Sequence, residues 1–427
     1  MLSQRAQWSA GQPISDLMAR ALAAPQLISL AAGFVDQHTL PVDETRQALD
    51  AILGDTTDAQ AALQYGTTHG FAPLRDTIRQ RHLEADGGDD SQPAIELDQV
   101  VLTAGSNQLL HIVSESLLDP GDIVLCASPT YFVYLGTLQN LGARAVGVAV
   151  DQQGIVPESL DETFRGLEAD GQLPRVKAIY VVTYYDNPCG LTVPAQRRQQ
   201  IVEIAQHWSQ RRNEMIGGEN GGPIYVIAAD AYRQLRYTGD DVVSMRRFDP
   251  TGETVVQTGT FSKCYSPGVR VGWGILPKAL VDPVHNQKGN LDFGSPNFAQ
   301  HLMHQVLRQG LLEPHIERLR TGYQAKLTAM LDACTEHLSG IPGVHWIEPQ
   351  GGLYVWLTLP EDVDTGPKGR LFDLALDEGM LYVPGQFCYP AEGMGVRHNT
   401  IRLSFGVQPA PRINEGIQKL AGAIARL

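Results

Sequence analysis

The segment Thr258 to Gly274, TGTFSKCYSPGVRVGWG, gathers hydroxyls at Thr260 and Ser262, an amine at Lys263 and a guanidinium at Arg270. A single lysine is ordinarily a solvated surface residue and says little. Here the neighbours matter. Lys263 follows a β-branched run that ends near Thr258, and ligands of open α/β sheets collect beyond the carboxyl ends of strands. An amine held in a desolvated, partly cationic crevice has a lowered pKa and becomes a nucleophile toward an aldehyde. Two hydroxyls and the planar donor fork of Arg270 suit a phosphate monoester. Together these features suggest pyridoxal phosphate.

Other residues offer matching chemistry, each beside a plainer explanation. Asp230 closes the apolar run Ile224 to Ala229. A carboxylate there could keep a pyridine nitrogen protonated, making the ring an electron sink; a helix cap at a strand end is an equally ordinary use of aspartate. Gly105-Ser106-Asn107-Gln108 follows Val100 to Thr103 and opens an apolar helical pattern. Its free N–H groups and helix dipole would face an anion, although simple capping explains the same residues. Asp186-Asn187-Pro188-Cys189-Gly190 reads as a turn, and Tyr131, at a helix start, as core packing. Arg402, on the strand-like run Thr400 to Phe405, needs a partner when buried. Either a ligand carboxylate or an internal salt bridge supplies one.

The run Phe261 to Trp273, F-S-K-x-x-x-P-G-x-R-x-G-W, resembles the cofactor-lysine signature of the class I/II aminotransferases, which are fold-type I pyridoxal-phosphate enzymes. The resemblance extends from about Leu27 to Phe405 and is nearest in flavour to the α-aminoadipate/kynurenine and MocR-like branch. It implies that Lys263 carries the cofactor as a Schiff base and that Asp230 serves the pyridine nitrogen. Tyr232, in the family's D-x-Y spacing, would reach the ring hydroxyl. Asn187, in a turn similar to N-P-T-G with Cys189 in place of Thr, would contact that hydroxyl and approach the substrate carboxylate. Ser106 and Asn107 fall in the family's phosphate seat, with Thr260, Ser262 and Arg270 as further cofactor contacts, and Tyr131 stands where an aromatic ring stacks on the cofactor. Tyr65, in Gln64-Tyr65-Gly66, resembles the tyrosine that reaches the neighbouring subunit's cofactor phosphate, which implies a homodimer with shared active sites. Arg402 takes the place of the substrate-carboxylate arginine. Gly33, in Ala31-Ala32-Gly33-Phe34, matches a small residue against the same substrate end.

The implied reaction moves the amino group of an L-amino acid to a 2-oxo acid such as 2-oxoglutarate, in ping-pong fashion, with the freed Lys263 amine as general base. A lyase or decarboxylase on the same scaffold is the first rival. The second is a non-catalytic regulatory module of the kind fused to DNA-binding helices; the resemblance leaves no room for such helices before Leu27. Leu17, Met18, Phe34 and Tyr134 suggest an apolar or aromatic donor, although simple packing is the commoner use of such residues; the branch also permits a 2-aminoadipate-like donor, and Arg20 could receive an acidic side chain, although a surface place is the commoner one.

These residues need a sheet to hold them. Short β-branched runs at Val100 to Thr103, Ile123 to Ala127, Ala145 to Val150, Val176 to Thr183, Ile224 to Ala229 and Thr254 to Thr258 alternate with helical patterns, which predicts a mostly parallel α/β sheet flanked by helices. Ile201, Ile204, Ala205 and Trp208 recur as one buried helix face requires. Beyond Asn297, long amphipathic stretches lead to strand-like Gly352 to Leu359 and Thr400 to Phe405 and a closing helix after Pro411, which predicts a smaller α+β domain. The expected division is 1–45, an amino-terminal arm with part of the small domain; 46–299, the large cofactor-binding domain; and 300–427, the carboxyl-terminal small domain. Gly217 to Pro223 is a surface connection, because it precedes a strand and lacks a phosphate loop's Lys-Ser/Thr ending.

Bulk properties narrow the class. At 427 residues the chain exceeds one compact core, and 43% hydrophobic with 19% charged residues is ordinary globular usage. A net charge of -14 argues against a nucleic-acid face. The five cysteines, Cys126, Cys189, Cys264, Cys334 and Cys388, form no C-x-x-C pair, so neither a disulfide framework nor a bound metal is expected. Met1 to Pro13 lacks the apolar core of a signal peptide, and no long apolar run occurs. A cytoplasmic protein without membrane partners is expected.

Overall fold

The computed structural model describes residues 1–9, 17, 24, 26–88, 93–217 and 221–427. Its central feature is a nine-stranded sheet. From one edge the order is Glu392–Gly393, Arg144–Asp151, Ile123–Ser128, Val176–Val182, Tyr225–Ala229, Val255–Thr260, Gly272–Ile275 and Val100–Thr103, with Gly154–Ile155 paired to Arg144–Asp151. The pairs from Glu392–Gly393 through Val255–Thr260 are parallel. Gly272–Ile275 runs antiparallel to both of its neighbours, so the other six long strands share one direction. Their carboxyl ends, at Thr103, Ser128, Val182, Ala229 and Thr260 among them, therefore lie along one edge.

The helices cover both faces. Ala195–Met215 buries Ile201, Val202, Ala205 and Trp208, while Ile204 of the expected stripe is only half-buried. Phe164, from the helix Pro157–Ala169, stacks on Trp208 with ring centroids 5.2 Å apart. The strand Gly272–Ile275 was absent from the expectations, because Gly-Trp-Gly lowers strand propensity. Packing explains it: a Cβ on Gly272 would stand 2.4 Å from the Gly105 carbonyl carbon and 2.5 Å from the Ser106 nitrogen. Glycine lets the start of the helix Ser106–Leu117 lie directly on the sheet.

A second, antiparallel sheet orders His345–Trp346, Tyr354–Thr358, Thr400–Ser404 and Val383–Pro384. Its core joins residues of the helices Leu312–Leu338 and Ala410–Ala425 with Ile28 and Leu30. Ile28–Ser29 pairs in parallel with Met380–Leu381, tying the amino-terminal stretch to this layer. The helix Asn297–Arg308 instead shares a core with Ala48, Leu74, Val100 and Ile275 beside the large sheet. Among the described residues no helix is long and apolar enough to cross a membrane. Met18, Arg20 and part of the connection from Gly217 to Pro223 lie outside the described residues.

Candidate active site

A cavity of about 320 Å³ opens beyond the carboxyl edge of the parallel strands, with Gly33, Ser106, Asn107, Tyr131, Asn187, Tyr232, Thr260, Ser262, Lys263, Arg270 and Arg402 in its wall. Strand ends deliver most of these side chains. The second sheet delivers Arg402, and the stretch after Ile28–Ser29 delivers Gly33. Residues from remote parts of the sequence thus converge on one volume.

Lys263 follows the strand Val255–Thr260 and is half-buried. Its Nζ donates to the Gly33 carbonyl at 2.8 Å. Burial pushes this amine below the ordinary lysine value; Tyr354 opposes the shift, while Arg402 and Arg270 add to it. The shift favours the neutral, nucleophilic form of the amine.

One end of the cavity is built for an anion. Gly105, at φ 80, starts the helix Ser106–Leu117, whose first N–H groups have no partner within the helix. A Cβ at Gly105 would meet Arg270 Nη2 at 2.3 Å, so only glycine lets that guanidinium close over the helix start. Arg270, itself at φ 50, donates to the Ala104 carbonyl at 3.2 Å and to Ser262 Oγ at 3.4 Å. Thr260 Oγ1 accepts from the Ser262 N–H at 3.1 Å, fixing the two hydroxyls side by side. Gln108, next in the same segment, instead accepts from the Ala104 N–H and supports the turn from behind. Tyr131 reaches Asn107 Oδ1 at 3.5 Å, holding its ring beside the helix start.

Asp230 lies between Ala229 and Ala231, which line the cavity, but itself lines an adjoining smaller one together with His82 and Arg233. It is buried, and Thr183 Oγ1 donates to its Oδ1 in a short hydrogen bond. Burial raises this carboxyl to about 6, against the pull of Arg198, Thr183 and Arg233, so it is ionised at neutral pH. At the opposite end Arg402 is 1% exposed, donating to Asn187 Oδ1 at 2.9 Å and to the Ala31 carbonyl at 2.7 Å, while its Nε has no acceptor. Neither partner is charged. A buried guanidinium with a free donor and neutral partners suits a carboxylate.

Tyr65 is 80% exposed, packs edge-on against Phe293 and lines a different cavity, so within one chain it stands apart from Lys263, as a residue serving a neighbouring subunit would. Of the residues taken to hint at the substrate, Phe34 lines the cavity, but Leu17 is buried in the core of the second layer. Tyr134 packs on Tyr180 at 4.0 Å and meets Ser114 Oγ at 3.0 Å, so it is a core residue. Sequence reasoning missed Tyr354, Phe132 and Thr183. The strand carrying Tyr354 was visible, but not the face it presents.

The donors fit pyridoxal phosphate: a glycine-cleared anion seat and a depressed lysine amine border one volume, with a buried carboxylate between two of its lining residues. The family model for aminotransferase class I and II matches residues 25–420. The aromatic-amino-acid aminotransferase 1 of Thermococcus litoralis is 31% identical over 402 residues, 93% of this chain and 88% of that protein. The 2-aminoadipate transaminase of Thermus thermophilus is 29% identical, over 94% of this chain and 91% of its own length. The kynurenine aminotransferase structure from Pyrococcus horikoshii superposes with a TM-score of 0.88 at 30% identity, covering 100% of this chain and 97% of that one. With sequence, fold and donor set in agreement, the chain belongs to the class I and II aminotransferases, the fold-type I enzymes that work with pyridoxal phosphate.

Proposed function

We propose that this aminotransferase takes its amino group from a neutral apolar or aromatic L-amino acid and passes it to a 2-oxo acid such as 2-oxoglutarate. The observation that carries the donor class is the cavity wall. Phe34, Leu110, Phe132, Val133 and Tyr354 supply it, and its charged side chains among the described residues are Lys263, Arg270 and Arg402, all three occupied by the roles given below. Among the described residues no further cation there meets an acidic side chain.

Arg270, Ser262, Thr260 and the helix start at Ser106 and Asn107 hold the cofactor phosphate. Asp230 holds a positive charge on the ring nitrogen, Tyr131 covers one ring face, and Tyr232 and Asn187 face the ring hydroxyl. Bound there, pyridoxal phosphate supplies an aldehyde carbon and a ring that accepts electron density from the substrate α-carbon. Arg402, oriented by Asn187 and with the Gly33 backbone alongside, grips the α-carboxylate that donor and acceptor share. Lys263 Nζ takes the α-proton and returns a proton to complete the transfer. The alternating use of one site by two substrates gives ping-pong kinetics.

We also infer a homodimer. Leu63, Tyr65, Leu291 and Phe293 are all more than half exposed, and apolar surface of this kind marks association; Tyr65 would then serve the partner's cofactor phosphate. The shared core of Asn297–Arg308 with Ala48 and Leu74 supports placing the boundary of the large unit, expected at 299, inside the helix Leu312–Leu338. All five cysteines are buried and unpaired, which suits the cytoplasm.

Lys263→Ala should abolish turnover in a donor and acceptor screen. In the unmodified enzyme, a donor alone should convert the cofactor to its amine form; release of ammonia with pyruvate would instead indicate a lyase. Below its lowered pKa the Lys263 amine is protonated and unreactive, so the rate at which apoenzyme captures pyridoxal phosphate should rise with pH and level off before 10.5. A stopped-flow rate still climbing in the ordinary lysine range would contradict this. Tyr65→Phe should weaken cofactor binding about five-fold, the loss of one hydrogen bond, in a protein that sediments as a dimer. Unchanged affinity would remove Tyr65 from the shared site.

A further inference from the structure

Tyr354 was named above only as part of the cavity wall, yet it contacts two of the residues given roles there, Arg402 and Tyr232. It is 1% exposed and opens the strand Tyr354–Thr358 of the second sheet. In that sheet Trp356 pairs with Arg402 and Tyr354 with Ser404, so Tyr354 and Arg402 are diagonal neighbours on one face. The Arg402 guanidinium carbon lies 4.4 Å from the Tyr354 ring centroid. At its other end the Tyr354 hydroxyl meets the Tyr232 hydroxyl at 3.2 Å, and Tyr232 follows the parallel strand Tyr225–Ala229. The two rings cross at 79° with centroids 5.8 Å apart.

Gly33 makes room for this contact. A Cβ there would stand 2.5 Å from the Tyr354 hydroxyl, while the Gly33 carbonyl accepts the Lys263 amine. One glycine therefore serves two contacts: its carbonyl receives the lysine, and its missing side chain admits the phenol.

We propose that Tyr354 is a positioning residue: its hydroxyl donates to the Tyr232 oxygen, turning the Tyr232 proton toward the cofactor's ring hydroxyl, and its ring covers Arg402 and fixes that guanidinium for the substrate carboxylate. The inference rests on the assignment of Tyr232 to the ring hydroxyl. With its oxygen accepting from Tyr354, Tyr232 keeps its own proton for the cofactor and becomes a stronger donor, since linked hydrogen bonds polarise one another. The ring contributes separately. A guanidinium over an aromatic face in a desolvated pocket is held in orientation and partly compensated for lost water.

The test uses the holoenzyme and two substitutions that divide these functions. Tyr354→Phe keeps the ring and removes the hydroxyl. It should raise the midpoint of the pH titration of the lysine-bound cofactor's visible absorbance by roughly half a unit to one unit, because a weaker Tyr232 donor favours the ionised ring oxygen less. The KM for the amino donor should hardly change. Tyr354→Leu removes the ring as well and should also raise that KM about ten-fold. Tyr232→Phe, titrated alongside, separates the two assignments. A midpoint that moves in Tyr232→Phe but not in Tyr354→Phe overturns the hydroxyl relay and leaves Tyr232 in place. A midpoint unmoved in both overturns the assignment of Tyr232 and the relay with it. An unchanged KM in Tyr354→Leu overturns the role at Arg402.

Discussion

Burial and buried cations pull in opposite directions on one carboxylate beside the cavity, Asp230. Burial alone would neutralise Asp230, and its pKa does rise, to about 6. Two buried guanidinium groups limit that rise. Arg198 is fully buried, and its three hydrogen bonds all go to neutral carbonyls, at Val193, Val243 and Thr183. Its charge is left to act on Asp230. Arg233 is already paired with Asp86 and Asp241, so its influence is the smaller. The ring of Tyr184 lies 4.0 Å from one guanidinium carbon and 5.1 Å from the other, a favourable face for two cations that would otherwise be poorly solvated. Thr183 completes the arrangement, receiving Arg198 on its carbonyl and donating its hydroxyl to Asp230.

The amine across the cavity has the opposite requirement. In the proposed reaction Lys263 loses charge where Asp230 keeps it, and burial combined with different neighbours favours both. Arg402 and Arg270 disfavour a third cation beside them, whereas Arg198 and Arg233 favour an anion. A sheet with six long strands in one direction supplies the geometry. It places the strand ends before Gly105, Tyr131, Asn187, Asp230 and Lys263 along one edge, so residues far apart in sequence meet without long loops.

What the sequence revealed follows from how local each feature is. The Lys263 to Arg270 segment was legible because amine, hydroxyls and guanidinium lie in one short run. Six strands and the helix Ala195–Met215 were legible from β-branched runs and apolar spacing. Gly272–Ile275 was not, because its glycines exist to admit the helix start at Ser106, a tertiary demand that overrides local propensity. Tyr134 left packing and a pocket place both open and is core, since an apolar helical pattern does not say which turn faces a ligand. Thr183, Arg198 and Tyr354 were invisible for a related reason: their meaning lies in contacts with Asp230, Arg402 and Tyr232, made only after the sheets assemble. Tyr65 carries the motif of a residue shared between subunits, and in a single chain it is exposed.

The central claim is that Lys263 is the amine that binds the cofactor, and peptide mapping after borohydride reduction of the holoenzyme tests it most directly. Reduction makes the lysine–cofactor bond permanent, so mass spectrometry reports which peptide carries the added pyridoxyl group. The account predicts the modification on Lys263 in the peptide containing Phe261 and Ser262, in stoichiometric yield. Modification at another lysine, such as the buried Lys288, with Lys263 unmodified, would contradict it.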